Sequence, residues 1–236
     1  MAQHGKIYKA NASKIDRTKR YGLDEALSVL EGFQNHKFDE TVEVAINLGV
    51  DPKQSDQMVR GATVLPHGIG KPIRVVAIVR GEGEREAREA GADFVGNDDL
   101  IEKIAGGWLE FDRVVTTPES LKDLTKVAKV LGPKGLMPNK KTGTVTNEIG
   151  KAVKEQKLGK VEYKVEKAGI IHSFIGKKSF GAAKLKENFM ALFENLLKAK
   201  PATSKGLYIK KIALSPSMGP SIILDHQALV TAAQGS

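Results

Sequence analysis

From residue 41 to residue 50 the chain alternates. Val42, Val44, Ile46, Leu48 and Val50 are apolar, and Thr41, Glu43, Ala45, Asn47 and Gly49 stand between them. A period of two means one buried face and one wet face, the mark of a strand in an antiparallel sheet. Just before it the period is helical: Leu23, Ala26, Leu27 and Leu30 recur on one side, with Asp24 and Glu25 in the first turn where the helix dipole favours acids. This predicts a helix over 23–33. Both periods return past Gly159. Residues 161–165 alternate, 169–175 is a strand candidate, and 182–197 carries one apolar stripe through Leu185, Phe189, Leu192, Phe193 and Leu196. Strands over 206–214 and 221–224 follow.

Between these two stretches the pattern differs. Residues 73–79 (IRVVAIV) are apolar on both faces, as in a strand covered on both sides. After it come a helix pattern over 84–90, a short strand over 92–95, a helix over 98–105, a strand over 113–115 and helices over 121–130 and 147–157. Strand and helix alternating at this spacing predict a parallel layer structure. The expected architecture is a discontinuous α+β domain from 1–67 and 160–236, with an α/β domain of 68–159 inserted into it. Gly- and Pro-rich PHGIGKP (66–72) and the return at Leu158 and Gly159 predict a two-stranded hinge. Residues 6–20 are basic and compatible with a helix. The tail after Asp225 is expected to be disordered.

Charge narrows the choice of partner. The 236 residues carry a net charge of +9, unevenly spread. Residues 1–67 are net zero, 68–123 net −4, 124–159 net +6 and 160–236 net +7. Two separate basic regions suit a polyanion. There is no cysteine, which excludes disulfides, thiolate metal sites and a cysteine nucleophile. No apolar run approaches the ~20 residues of a membrane span, and the N-terminus lacks the apolar core of a secretory signal.

Catalytic signatures fail on inspection. Residues 135–142 (GLMPNKKT) superficially suggest a phosphate loop, but Lys140 stands where the second glycine belongs and Pro138 lacks the N–H that a phosphate cradle needs. Gly81 and Gly83 follow a strand, yet Glu82, Glu84 and Glu86 would repel a pyrophosphate. The five histidines share no ligand spacing with each other or with carboxylates. The expectation is no enzyme, no metal and no cofactor. Three other stretches suit RNA as well as they suit ordinary structure. Lys37 and Phe38 put a cation and an aromatic ring before a strand, where Phe38 either stacks on RNA or joins the core. SPSMGPS (215–221) is a turn by composition, in which Met218 is an unusual choice for an exposed position. GKKSF (176–180) combines two cations, a hydroxyl and an aromatic ring, with Ser179 also suited to cap the following helix.

Together, LGPKGLMPNKKTGTV, KFDETVEVAINLGVDPKQSDQMVRG, LPHGIGK, GADFVG, FDRVVTTPE, IHSFIGKKSF and SMGPS closely resemble the bacterial large-subunit ribosomal protein L-one family, in order and over nearly the whole chain. The resemblance implies a Rossmann-like inserted domain and a hinged two-domain molecule. It implies a cytoplasmic protein, monomeric within the ribosome, that binds large-subunit ribosomal RNA in the mobile stalk, assists release of deacylated tRNA from the exit site and represses translation by binding its own operon mRNA. Carried onto this chain, the RNA-facing residues are Lys37, Phe38, Glu40, Thr41, Ser217, Met218 and Gly219, with Lys177 and Ser179 beside them. Lys134, Lys140 and Lys141 form a possible second RNA surface.

Overall fold

The computed structural model describes residues 5–234. In chain order its elements are α1 (Lys6–Ala12), α2 (Leu23–Glu31), β1 (Thr41–Leu48), β2 (Arg60–Val64), β3 (Val75–Ile78), α3 (Glu82–Glu89), β4 (Phe94–Gly96), α4 (Asp98–Ala105), β5 (Arg113–Thr116), α5 (Leu121–Leu124), α6 (Ala128–Leu131), α7 (Ile149–Lys157), β6 (Lys160–Lys164), β7 (Ile170–Lys177), α8 (Gly181–Lys198), β8 (Ile209–Pro216), β9 (Ile222–Leu224) and α9 (His226–Gln234). The protein is a mixed α/β structure with several sheets. It divides into two compact units, Met1–Gly70 with Val161–Ser236, and Lys71–Lys160.

The first unit is built on a four-stranded antiparallel sheet of order β7-β1-β8-β9, beside a two-stranded pair, β2-β6. The alternation in β1 puts Val42, Val44, Ile46 and Leu48 into the core, where α2 and α8 lie against the sheet. Leu185, Phe189, Leu192, Phe193 and Leu196 of α8 are all buried there, with the Phe189 and Phe193 rings stacked at 5.6 Å. The open N-terminus of α8 is held by Glu31 at the end of α2, whose carboxylate accepts the Ala182 N–H at 2.5 Å. Ser179, suited by sequence to cap this helix, does not: Phe180 occupies the cap position and makes no side-chain bond there.

Pairing of β1 with β7 is irregular at one point. Val42 faces Gly176 and Glu43 faces Phe174, so the register skips Ile175. That bulge is secured by Asn188 of α8, fully buried, whose Nδ2 donates to the Ile175 carbonyl (2.7 Å) and to the Gly68 carbonyl (3.0 Å). Its Oδ1 accepts the His67 N–H (3.0 Å). One amide therefore closes a bulge and fastens the 66–68 turn to α8. Gly70, at φ +73°, completes the turn, and a Cβ there would meet Lys177 Cγ at 2.7 Å and the Phe180 ring at 2.9 Å.

In the second unit β3 lies between β4 and β5, all parallel. Its four residues are fully buried, as strands covered on both faces must be. Val76 and Ile78 join Leu100, Ile104, Phe111 and Leu131 in one cluster, and α7 packs on β3, β5 and α3. Two aspartates hold the entry to β3. Asp112 accepts the Arg74 N–H and the Lys71 ammonium, and Asp93 accepts the Val75 N–H and the Lys157 ammonium. Burial alone would raise the pKa of both carboxyls. The lysines and backbone donors outweigh it and hold them below the ordinary value.

Three expectations are corrected. The helix over 121–130 is broken at 125–127 into a 3-10 turn, where β-branched Thr125 and Val127 crowd the backbone and the Thr125 hydroxyl takes the Lys122 carbonyl at 2.6 Å. The stretch 6–20, compatible with a helix by sequence, is helical only over Lys6–Ala12. Of the tail after Asp225, His226–Gln234 is ordered as α9, with His226 and Leu229 buried and Val230 and Ala233 packed on the core, and Gly235 and Ser236 lie outside the described residues. Asn188→Ala should destabilise the chain by about 3 kcal/mol, since it leaves the buried Ile175 carbonyl, and the part-buried Gly68 carbonyl and His67 N–H, without their partner. Denaturant unfolding checks this, and a change below ~0.5 kcal/mol contradicts the role given to Asn188.

Candidate nucleic-acid interface

A central strand that is antiparallel to both neighbours brings its own start beside both of their ends. Thr41 at the start of β1 faces Lys177 at the end of β7, and Val42 faces Pro216 at the end of β8. The three stretches singled out by sequence, 37–41, 177–179 and 217–219, therefore meet at one end of one sheet. They are far apart in the chain, the partners of the Lys177–Thr41 bond being separated by 136 positions.

Their contacts are specific. Ser217 donates its N–H to the Thr41 carbonyl (3.0 Å), and its hydroxyl accepts the Thr41 N–H (3.2 Å). Lys177 Nζ donates to Thr41 Oγ1 (2.9 Å) and to the Asp39 carbonyl (3.2 Å). Ser179 gives its hydroxyl to Asp39 Oδ2 (2.6 Å) and its N–H to Oδ1 (3.2 Å). Glu40 is only 2% exposed, and its Oε1 accepts the Met218 N–H at 2.9 Å from beneath the turn. Gly219 lies so near Pro216 that a Cβ would sit 2.4 Å from its Cγ. Held in this way, the turn projects Met218, 55% exposed, while Phe38 on the neighbouring loop is 52% exposed. Of the two readings open for Phe38, the structure takes it out of the core. Lys37 is exposed as well.

Two residues absent from the expected set complete the site. Asp39 joins the 37–41 and 177–179 loops through both carboxylate oxygens. Lys178 turns inward and donates to the Phe33 carbonyl (2.7 Å) and Asn35 Oδ1 (2.6 Å). Burial lowers the pKa of its ammonium below the ordinary lysine value, opposed by the charge of Glu40 and assisted by that of Lys14. An acid among KFDET and the second lysine of GKKS were the available signals, but sequence does not say which lysine of a pair faces inward. The arrangement offers an exposed ring, an exposed thioether and a small-residue turn over fixed backbone. It contains no paired acid and base. Among the described residues no three His, Asp or Glu side chains gather as metal ligands, and no helix is long and apolar enough to cross a membrane.

The 131–146 loop belongs to the second unit. Thr142, the hydroxyl residue of the GLMPNKKT stretch, is buried together with Thr144, and both hydroxyls donate to the Asn139 carbonyl at 3.1 Å. The Asn139 N–H returns to Thr144 Oγ1 at 2.8 Å. The loop closes on itself, and Val145 bridges to Thr116 at the end of β5. Lys134 and Lys140 are exposed on it; the side chain of Lys141 lies outside the described structure.

A chain that carries this sheet and these three loops belongs to the ribosomal protein L1p/L10e family, whose family model matches residues 30–220. It is 55% identical over 229 residues, 97% of each chain, to the large ribosomal subunit protein uL1 of Solidesulfovibrio magneticus. It is 53% identical over 228 residues, again 97% of each, to the large ribosomal subunit protein uL1 of Bdellovibrio bacteriovorus. The family is one of ribosomal proteins, not of enzymes.

Removing the carboxylate of Glu40 should loosen the turn selectively. In Glu40→Ala the Met218 amide loses its acceptor and should exchange with solvent faster, whereas Glu40→Gln retains a side-chain oxygen and should protect it. Equal protection of the Met218 amide in both variants would show that Glu40 does not hold the turn.

Proposed function

We propose that the chain is a structural component of the large ribosomal subunit, in the cytoplasm, and that the loop end of its four-stranded sheet binds large-subunit ribosomal RNA. The observation that carries this is the convergence of 37–41, 177–179 and 217–219 around exposed Phe38 and Met218, in a chain of net charge +9 that belongs to a ribosomal protein family. RNA loops present unstacked bases and sugar edges to aromatic and apolar side chains and 2′-hydroxyls to backbone groups. In this reading Met218 and Phe38 are direct contacts, and Glu40, Asp39 and Lys178 hold the surface in shape. The finer roles are part of the same proposal. The protein binds the RNA of the mobile stalk, assists release of deacylated tRNA from the exit site, and represses translation where its own operon mRNA presents the same shape and competes for the surface.

The decisive experiment is equilibrium binding of the full chain to a large-subunit ribosomal RNA transcript, with crosslinked peptides mapped. Met218→Ala should weaken binding roughly tenfold or more, because an apolar contact at an interface centre is not replaced by water. Lys177→Ala should cost less, since its ammonium is already engaged by Asp39 and Thr41. Replacing Lys134, Lys140 and Lys141 together should leave this affinity unchanged. Crosslinks confined to 131–146, or a larger loss from the triple variant than from Met218→Ala, would move the site to the other unit.

We also propose that the two units, 1–67 with 160–236 and the Rossmann-like 68–159, move about the two chain crossings near Gly70 and Gly159. Gly159, at φ +95°, and exposed Leu158 suit such a joint on the return crossing. Because 66–68 is bonded to α8, bending on the outgoing crossing falls after Gly68. Solution scattering of free and RNA-bound protein should require more than one interdomain angle; a single angle that fits both refutes the hinge.

A further inference from the structure

A fourth segment is fastened to the same end of the sheet. Asn11 of α1, 1% exposed, accepts the Gln34 N–H on Oδ1 (2.7 Å) and donates Nδ2 to the Gln34 carbonyl (3.2 Å). This pins α1 to the loop that leads into Lys37 and Phe38. Lys14 adds a bond to the Gly32 carbonyl at 2.5 Å. Farther along, Tyr21 donates its N–H to the Ile223 carbonyl (2.9 Å) and its hydroxyl accepts the Asp16 N–H (2.8 Å). Residues 6–20 are thus clasped between the approach to β1 and the strand that starts just after Gly219.

Between the clasps lies a cavity of about 230 Å³. Tyr8, Ala12 and Ile15 line it from the N-terminal segment, and Pro220 and Ile223 from the β9 side. Asp16, Arg17, Lys19 and Ser221 complete its lining. Asp16 Oδ1 accepts the N–H (2.9 Å) and hydroxyl (2.6 Å) of Thr18, which makes a tight turn with exposed Arg17 at its tip. Lys19 is engaged by Glu25 and by the Tyr21 ring 5.0 Å away, whereas Arg17 makes no salt bridge among the described residues. The zero net charge of residues 1–67 conceals a division: 6–20 hold six basic residues and one acid.

This combination suits one kind of ligand. The cavity falls below the ~300–1,000 Å³ of sites that enclose a whole small molecule, so it fits a single ring system. Apolar and aromatic walls suit the face of a base, and a guanidinium at the rim suits a phosphodiester, which it can grip with two parallel bonds. One of its lining residues, Pro220, directly follows Gly219 of the Met218 turn. We propose that it takes one unpaired nucleotide of the RNA engaged by the three loops, with the base against Tyr8 and a neighbouring phosphate on Arg17. This rests on the RNA-binding reading of the three loops.

The test is binding of the full chain to a large-subunit ribosomal RNA transcript over a range of salt concentrations, with Met218→Ala as reference. Arg17→Ala should weaken binding several-fold and flatten the log–log salt slope by about 0.7–0.9, the signature of one lost phosphate contact. Tyr8→Leu should weaken it about tenfold with the slope unchanged, as loss of one stacked base does. Ultraviolet crosslinking of the unaltered chain should label the peptide that holds Tyr8, which tests the groove even where Tyr8→Leu folds poorly. If Arg17→Ala and Tyr8→Leu match the parent in affinity and slope while Met218→Ala binds weakly, the groove proposal is overturned and the three-loop reading stands. If Met218→Ala binds as the parent does and the groove variants lose affinity, the groove stands and the three-loop reading fails. No binding by the parent chain overturns both.

Discussion

The antiparallel pairing of β1 on both its edges is the constraint from which the candidate site follows. Because β7 and β8 both run against β1, the start of β1 and the ends of its neighbours must lie together, and their loops have one place to go. The register then selects the partners: Thr41 faces Lys177, and Val42 faces Pro216, one residue before Ser217. A slip of one residue would turn every apolar side chain of β1 out of the core, so the same hydrophobic pattern that buries Val42 to Leu48 also fixes which loop residues touch. Here the core and the surface site are specified by a single alternation.

Polar groups around the site complete what the register begins. Glu40, Asp39, Lys178 and Asn188 each bind backbone groups of segments remote in sequence. Each keeps a loop or bulge from relaxing, Glu40 among them although the family resemblance names it as an RNA-facing residue. The exposed residues, Met218 and Phe38, gain their fixed positions from these interior bonds. A rigid apolar protrusion loses little freedom when it meets a partner, which favours tight recognition.

The regular elements were legible in the sequence because their periods were strong. β1, α8 and α4 form where alternation or a helical stripe placed them, since burial of one face dominates their energetics. β2 was not legible: RGATV has one fully buried position, Thr63, and its place depends on β6, about a hundred residues away. α9 escaped notice because HQALVTAAQ has a faint stripe and no charge pattern, and it is ordered by a core it meets only on folding. At the site, the segments could be named from residue types, but roles could not. That Glu40 lies beneath the turn, or that Lys178 reaches Phe33 and Asn35 while Lys177 reaches Thr41 and Asp39, depends on long-range geometry. The hydroxyls of Thr142 and Thr144 show the converse: a composition that suits phosphate is used to close a loop.

The order in which the chain is made gives the sheet a further property. β1 leaves the site of synthesis early, yet the first partner it pairs with lies about 130 residues later, and the turn it supports ends at Gly219. At ordinary elongation rates β1 waits roughly ten seconds for β7. All residues of the 71–160 unit are synthesised within that interval, so this unit can fold as a compact body while the first unit is still incomplete. The loop end of the sheet is therefore incomplete on a nascent chain until the 217–219 turn has been made. It is complete only when β7 and β8 have both paired with the waiting strand, and a truncated chain that ends before the 217–219 turn lacks one of the three stretches that meet there.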